Sequence, residues 1–563
     1  MKTLLTSIIL LCAVFSLPAQ VINIPGDHST IQAGINAASD GDTVLVAEGT
    51  YLENIRFRGK AITVASHYIL DRNTSHISKT IIDGSQPEDP DSASAVTFCG
   101  GVDSTSVLCG LTITGGKGTY DQHELFGLYR SGGGILIPGE SGGKIEHCII
   151  RDNHLVNDYP QWGGGIAVFQ GAVDSYDKSI IIQDNIIRNN SLTSSLERPS
   201  SSGGGIKVGI GNNLKHGIVI IQNNVIDSNL VRSTHVNGRA IGGGMNFGII
   251  LPTPPGEFIV RNNIFAHNKV EGGGFVRGGA MILIHINILS AYYEDLRPAP
   301  LVYNNLIYKN ESSNMGGGIS AQITLEDPST NFKTVPQPAI INNTIVENKA
   351  QYGVGFHSSN SASLLMNNIF HNDLSSTGAT ELHRAGVISN YIYYNLISDG
   401  YITDPNNEGN ISGDPYLNED YHLTDSSPCV GAGVGSYLVH GIFKDTSYYA
   451  LGYDYKYNVR PNPIDNLIDL GAIESPYTPV GTGVHELHTA KLKLYPTPVE
   501  DLLFIEVDQP ITSIEIFNVV GVRLIHAVNV QERISMNQME QGMYLIRVET
   551  DKGKIYSGKV LKK

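Results

Sequence analysis

Seven residues combine type and position in a way that could act on one ligand: Lys207, Arg239 and Arg277, with Trp162, Tyr159, Asn246 and His357. A lysine that has lost its proton is a general base, and a guanidinium binds a carboxylate through two parallel hydrogen bonds. Aromatic rings offer stacking faces, while amide and imidazole groups hydrogen-bond hydroxyls. Together they suit an anionic sugar chain, with Lys207, Arg239 and Arg277 as catalytic candidates and Trp162, Tyr159, Asn246 and His357 as carbohydrate-binding candidates. Plainer readings stand beside these. Lys207 also reads as a solvated outward side chain, and Arg239 and Arg277 as partners of Glu197 and Glu271. Trp162 also reads as the cover of a loop, and His357 and His371 as structural groups. No metal site is expected, since Asp152, Asp184 and Asp227 read as turn residues and the cysteine spacing matches no zinc pattern.

What must position these residues is a repeat. Three glycines and an apolar residue recur at Gly132–Ile135, Gly163–Ile166, Gly203–Ile206, Gly242–Met245 and Gly316–Ile319, with degenerate copies at Gly278 and Gly353. The copies are 31, 40, 39, 36, 38 and 37 residues apart. A second mark, an asparagine pair, an apolar pair and a further asparagine, interleaves with the first, as in Asn223-Asn224-Val225-Ile226 to Asn229. Two marks in constant order within one period define one structural unit, repeated. Short β-branched runs and the lack of a 3.6-residue period make the unit strands and turns. Stacked units place equivalent asparagines one strand spacing apart, so Asn153, Asn190, Asn229, Asn268, Asn310 and Asn348 are expected to form a ladder. Alternation puts Leu136, Ala167, Lys207, Asn246, Ile282, Ser320 and His357 in one outward row. The period exceeds a minimal coil, so 154–162, 191–202, 230–241 and 286–300 are expected as loops outside it. The fold expected is all-β: a right-handed parallel β-helix solenoid followed by a small immunoglobulin-like β-sandwich.

Composition narrows the partners. Among 563 residues, Lys and Arg number 38 against 54 Asp and Glu, a net charge of −16, which speaks against nucleic acid. Residues 1–19 have the basic, apolar and small-residue order of a secretory signal peptide. No later stretch is long and apolar enough for a transmembrane segment. Export leaves Cys99, Cys109, Cys148 and Cys429 open to disulfide formation or to burial as small apolar groups.

The stretch Ile22–Tyr51 resembles the amino-terminal cap and first coil of secreted β-helix proteins of the pectin-lyase-like superfold, with a short helix over residues 30–39 covering the open end of the stack. Asp414-Pro415, Tyr421–Pro428 and Asp469–Glu474 resemble the closing segment of such proteins. Residues 491–563, with Tyr495-Pro496-Thr497-Pro498, resemble the carboxy-terminal sorting domain recognised by the type IX secretion system of Bacteroidota. The domains expected are thus a β-helix over 20–400, its closing segment over 401–475, a linker over 476–490 and the sorting domain. The resemblance implies a protein secreted or attached to the outer cell surface, with the secretion machinery as a partner. It also implies several activities: lyases that abstract a proton beside a uronate carboxylate, often with Ca²⁺, hydrolases with paired carboxylates, esterases, and surface proteins without activity. One expectation is a polysaccharide-binding protein that cleaves its ligand as a lyase or hydrolase in a groove along the strands. The other is a non-catalytic adhesin or structural rod.

Overall fold

The computed structural model describes residues 19–479 and 492–563, apart from 124–126, 158, 171–177, 198–199, 211–217, 252–256, 288–299, 326–336, 373, 376–377, 387, 401, 440–445, 463–466, 508–509, 519–522, 529–532 and 552–554. Nearly all of the expected signal peptide and most of the linker therefore lie outside the described residues.

Three long parallel sheets form the faces of a β-helix. Sheet I has 13 strands, from Val21–Ile24 to Asn406–Glu408; sheet II has 11, from Gly49–Tyr51 to Leu396–Ile397; sheet III has 10, from Ile55–Arg56 to Leu382–Ala385. Thirteen rungs at strand spacing make a stack about 60 Å long. Parallel pairing continues to Ile411, one coil beyond the expected end at residue 400. Inward residues of sheet III, such as Ile206, Val208, Met245 and Phe247, join one core with those of sheets I and II. The helix Ile31–Ala37 lies at the start of the stack, with Ile31 and Ile35 buried. The Thr30 hydroxyl accepts from Ala33 N, and Glu53 accepts from the amides of Ile31 and Gln32, both at 2.9 Å.

The corners explain both sequence marks. Within each asparagine pair the first residue takes a left-handed backbone, φ 58° at Asn223 and 55° at Asn262, which asparagine tolerates better than most residues. The second points inward, and its amide donates to its counterpart in the next coil. One ladder runs Asn153, Asn190, Asn229, Asn268, Asn310 and Asn348 in steps of 2.9–3.0 Å, continues to Asn372, and ends on the buried Glu381. A second ladder runs at the other corner through Asn185, Asn224, Asn263, Asn305, Asn343, Asn368, Asn395 and Asn410. In the glycine triplet, Gly203 has φ +73°, while a Cβ on Gly204 or Gly205 would lie 2.5 Å from a carbonyl oxygen of the next coil.

Three of the four stretches expected as loops instead contribute strands. His154–Asn157, Ser191–Ser194 and Leu230–Ser233 belong to a five-stranded sheet, and Gln161–Trp162, Ser200–Ser202 and Arg239–Ile241, with Phe275–Arg277, to a seven-stranded one. These sheets fold against each other as an arch around Leu155, Leu192, Val231, Ala240, Val270 and Val276. The fourth stretch, 286–300, lies mostly outside the described residues.

The described part of residues 431–475 runs along the corner between sheets I and II. Tyr457 donates to Asn223 at 2.8 Å, Asn304 to the carbonyl of Tyr453 at 2.9 Å, and Asn367 to that of Val434 at 2.7 Å. The fully buried Arg460 anchors it through the carbonyls of Asp469 and Gly471 and the Glu474 carboxylate. All four cysteines in the described part are free, with Cys109, Cys148 and Cys429 buried. The last module packs a three-stranded and a four-stranded antiparallel sheet around a core that includes Leu503, Ile514, Ile546 and Val560.

An Asn229→Ala change removes the acceptor for the amide and side chain of Asn190 and the donor to Ile187 and Asn268. Equilibrium urea unfolding should show a loss of about 3 kcal/mol or more. Arg232→Ala, on the solvent side of the arch, should stay within about 0.5 kcal/mol.

Candidate functional site

Strand register confirms one continuous outward row on sheet III: Leu136, Ala167, Lys207, Asn246, Ile282, Ser320 and His357, extended by His383. A second row two residues further along each strand contains Phe169, Gly209, Gly248, Ile284 and Gln322. The seven-stranded sheet of the arch leans over these rows. Arg277, on that sheet, donates to Gln322 at 3.0 Å, and Trp162 packs on Phe169 with ring centres 5.4 Å apart. The arch thus roofs the first row, in which Ala167, Asn246, Ile282, Ser320 and His357 are fully buried, and the groove left beside it runs along the partly exposed second row and Lys207.

Lys207 lies in the floor. Its Nζ donates to Asn246 Oδ1 at 2.6 Å, and among the described residues no carboxylate pairs with it. The side chain keeps an opening to solvent, yet burial of the ammonium lowers its pKa from 10.5 to about 7. The glycine at 248 makes this posture available, because a Cβ there would stand 3.1 Å from Nζ. Asn246 is fully buried, and its Nδ2 has no partner among the described residues.

Toward its carboxyl-terminal end the row turns to imidazole, with His357 fully buried under the arch side of the sheet and so out of reach of a sugar chain in this structure. The Nδ1 of His357 lies 3.0 Å from Ser320 Oγ, its ring stacks on His383 at 5.5 Å, and its Nε2 is buried without a partner among the described residues. Burial, with the charge of Arg277 and the neighbouring His383, lowers the His357 pKa to about 3, so this imidazole is neutral at physiological pH. The ring of Phe275 brings the two arginines together, with Arg277 4.2 Å and Arg239 5.5 Å from its centre. Burial lowers the Arg277 pKa only to about 10, which leaves it charged. Neither arginine pairs with Glu197 or Glu271; Glu271 is taken by Arg232 and Lys269, both at 2.7 Å.

The aromatic candidates fall elsewhere than an open platform would require. Trp162 is 7% exposed and lies against Tyr129 at 4.2 Å as well as Phe169, so it backs the groove wall. Tyr159 is 41% exposed and meets the edge of Tyr120, outside this cluster. The half-buried Phe169 presents the aromatic surface in the groove. Sequence reasoning missed Phe169, Gly248 and Gln322, although extending the two-residue alternation by one step reaches them. Calcium takes oxygen ligands. The side chains gathered here offer mainly nitrogen and no carboxylate, so they do not fit that ion, and among the described residues no three His, Cys, Asp or Glu side chains are grouped for a metal.

Comparison with known proteins places the last module. Residues 493–563 match the secretion system C-terminal sorting domain family. The protein is therefore exported, either secreted or held on the cell surface. No helix among the described residues is long and apolar enough to cross a membrane. No curated protein matches the chain. Solved structures similar to it include the PL6 family alginate lyase AlyGC and an arginine-to-alanine mutant of it. The mutant is 16% identical with a TM-score of 0.35, over 72% of this chain and 55% of the enzyme. The parent is 15% identical with a TM-score of 0.30, over 83% and 60%. The chain thus spans somewhat over half the length of those enzymes.

Two outcomes are expected. Competitive acetylation across a pH series, read by peptide mass, should give Lys207 a titration midpoint near 7, well below the ordinary lysine value of 10.5. Removing residues 493–563 should leave the protein in the periplasm, as judged by fractionation of the expressing bacterium.

Proposed function

We propose that the protein binds an acidic polysaccharide in the groove between sheet III and the arch and cleaves it by β-elimination, with Lys207 as the base. The observation that carries this reading is a desolvated lysine, poised near neutrality and free of any carboxylate partner among the described residues, on the floor of a groove walled by arginine. A structural lysine in such a place would normally be matched by an acid.

The neutral Nζ takes the proton from the carbon beside a uronate carboxylate. That electron pair forms the new carbon–carbon double bond as the glycosidic carbon–oxygen bond breaks, and the leaving oxygen is protonated from solvent. Arg277, positively charged up to about pH 10, neutralises the uronate carboxylate and makes the adjacent proton more acidic. Asn246 Oδ1 holds Nζ in place and accepts from the ammonium that forms. Gly248, under the Lys207 ammonium, and Gln322, the partner of Arg277, stand two rungs apart in the same row. A hydrolase would need two carboxyl groups facing each other, and the described groove residues supply none.

The test is incubation of the mature protein with pectate, alginate, a glycosaminoglycan and a neutral glucan, reading the absorbance of unsaturated uronate. Product should appear from a uronate polymer and not from the glucan. Lys207→Met should lower the rate by roughly a hundred- to ten-thousandfold. Because the neutral amine is the active form, kcat/KM should rise with pH through about 7. New reducing ends without unsaturated product would replace the lyase reading with a hydrolase, and binding without product would leave the adhesin.

A further inference from the structure

We infer that Phe169 is a sugar-stacking residue that positions the ring next to the base, which gives the groove an aromatic subsite on one side of Lys207 and a carboxylate subsite on the other. The inference rests on the proposed placement of a glycan in this groove.

Phe169 and Lys207 belong to adjacent rungs, with Ala167 and Phe169 registered against Lys207 and Gly209. Gly209 follows Phe169 in the second outward row, and a Cβ there would meet the Phe169 ring at 3.0 Å. The ring therefore lies over the glycine and leans toward the base. The next position in that row is Gly248, over which the Lys207 ammonium lies. Two successive glycines thus make room for the Phe169 ring and the Lys207 ammonium to lie on neighbouring positions of the second row.

The buried rings of Trp162 and Tyr129 brace Phe169 at 5.4 and 5.6 Å. A ring held so firmly has little rotamer freedom left to lose when a ligand stacks on it. Farther along the same row Gln322 carries the Arg277 guanidinium. An aromatic ring, an amine and a guanidinium in sequence along one row match the alternating apolar and polar faces of an acidic sugar chain. They also give the chain a direction, because its two ends meet different chemistry.

The chain contains a single tryptophan, so its emission reports on this subsite. The experiment titrates the full-length mature protein with oligosaccharides of pectate and of alginate, follows Trp162 emission, and measures affinity separately by calorimetry. A saturable emission change should accompany binding. Phe169→Ala should weaken affinity roughly tenfold and abolish the emission change. Phe169→Tyr should retain both, and Phe169→Leu, which keeps apolar bulk but has no ring face, should behave like the alanine variant with an unchanged melting profile. Binding that leaves Trp162 emission unchanged, wild-type affinity in folded Phe169→Leu, or no binding of any of these oligomers would overturn the inference. Binding and emission change without unsaturated product would sink the lyase reading and leave the stacking subsite standing.

Discussion

Two columns of side-chain amides set the geometry on which everything else in this molecule depends. At each corner an asparagine amide bonds to its counterpart one rung away, to a backbone carbonyl, and to the amide of the preceding rung. These bonds leave no room for a slip in register, since a one-residue shift would take the amide out of line and turn the inward apolar residues to solvent. The insertions between marks differ in length by up to nine residues. The ladders hold constant register across them.

Constant register converts sequence position into place. Lys207 and Asn246 are 39 residues apart in the chain but meet at 2.6 Å because they occupy the same position on successive rungs. The same rule stacks His357 on His383 and lines up Gly209 with Gly248. A β-helix floor by itself would leave Lys207 in open solvent, where its pKa would stay near that of any lysine. The arch changes this. Sheet III is covered there, burial deprives the ammonium of water, and among the described residues the Asn246 side-chain carbonyl is the partner that offsets the loss.

The closing segment also reads the ladder corner. Its contacts fall on Asn223, Asn304, Asn342 and Asn367, the left-handed members of four of the asparagine pairs, whose side chains point outward because their partners point inward. One residue pair per rung thus bonds the stack on its inner side and offers attachment on its outer side. Burial raises the Glu474 pKa to about 7 and also raises that of Asp469, and Arg460 counters both. This anchor is therefore a concentrated polar junction along an otherwise regular contact.

Much of this was legible in the chain. The triplet glycines, the asparagine pairs and their period are local signals with one mechanical meaning each, so the solenoid, its ladder, its helical cap and the outward row with Lys207 could be read directly. The last module was legible as a small sandwich, because its strands alternate over short, regular runs, and as a sorting domain through the resemblance carried by Tyr495-Pro496-Thr497-Pro498. The arch was not. Segments such as Ser191–Ser194 and Leu230–Ser233 are short and carry serine, threonine and arginine, so alone they resemble loops. They become strands only because the ladder presents them to one another at strand spacing. Trp162 illustrates the same limit: its type announced an aromatic role, but which of its faces is covered depends on Tyr129 and Phe169, residues brought to it by the stack and the arch. Sequence determined the repeat, its register and the residues in each row, since those follow from spacing. Tertiary structure decided which row is roofed, which lysine loses its water and which aromatic face stays open, since burial belongs to neighbours that are distant in the chain.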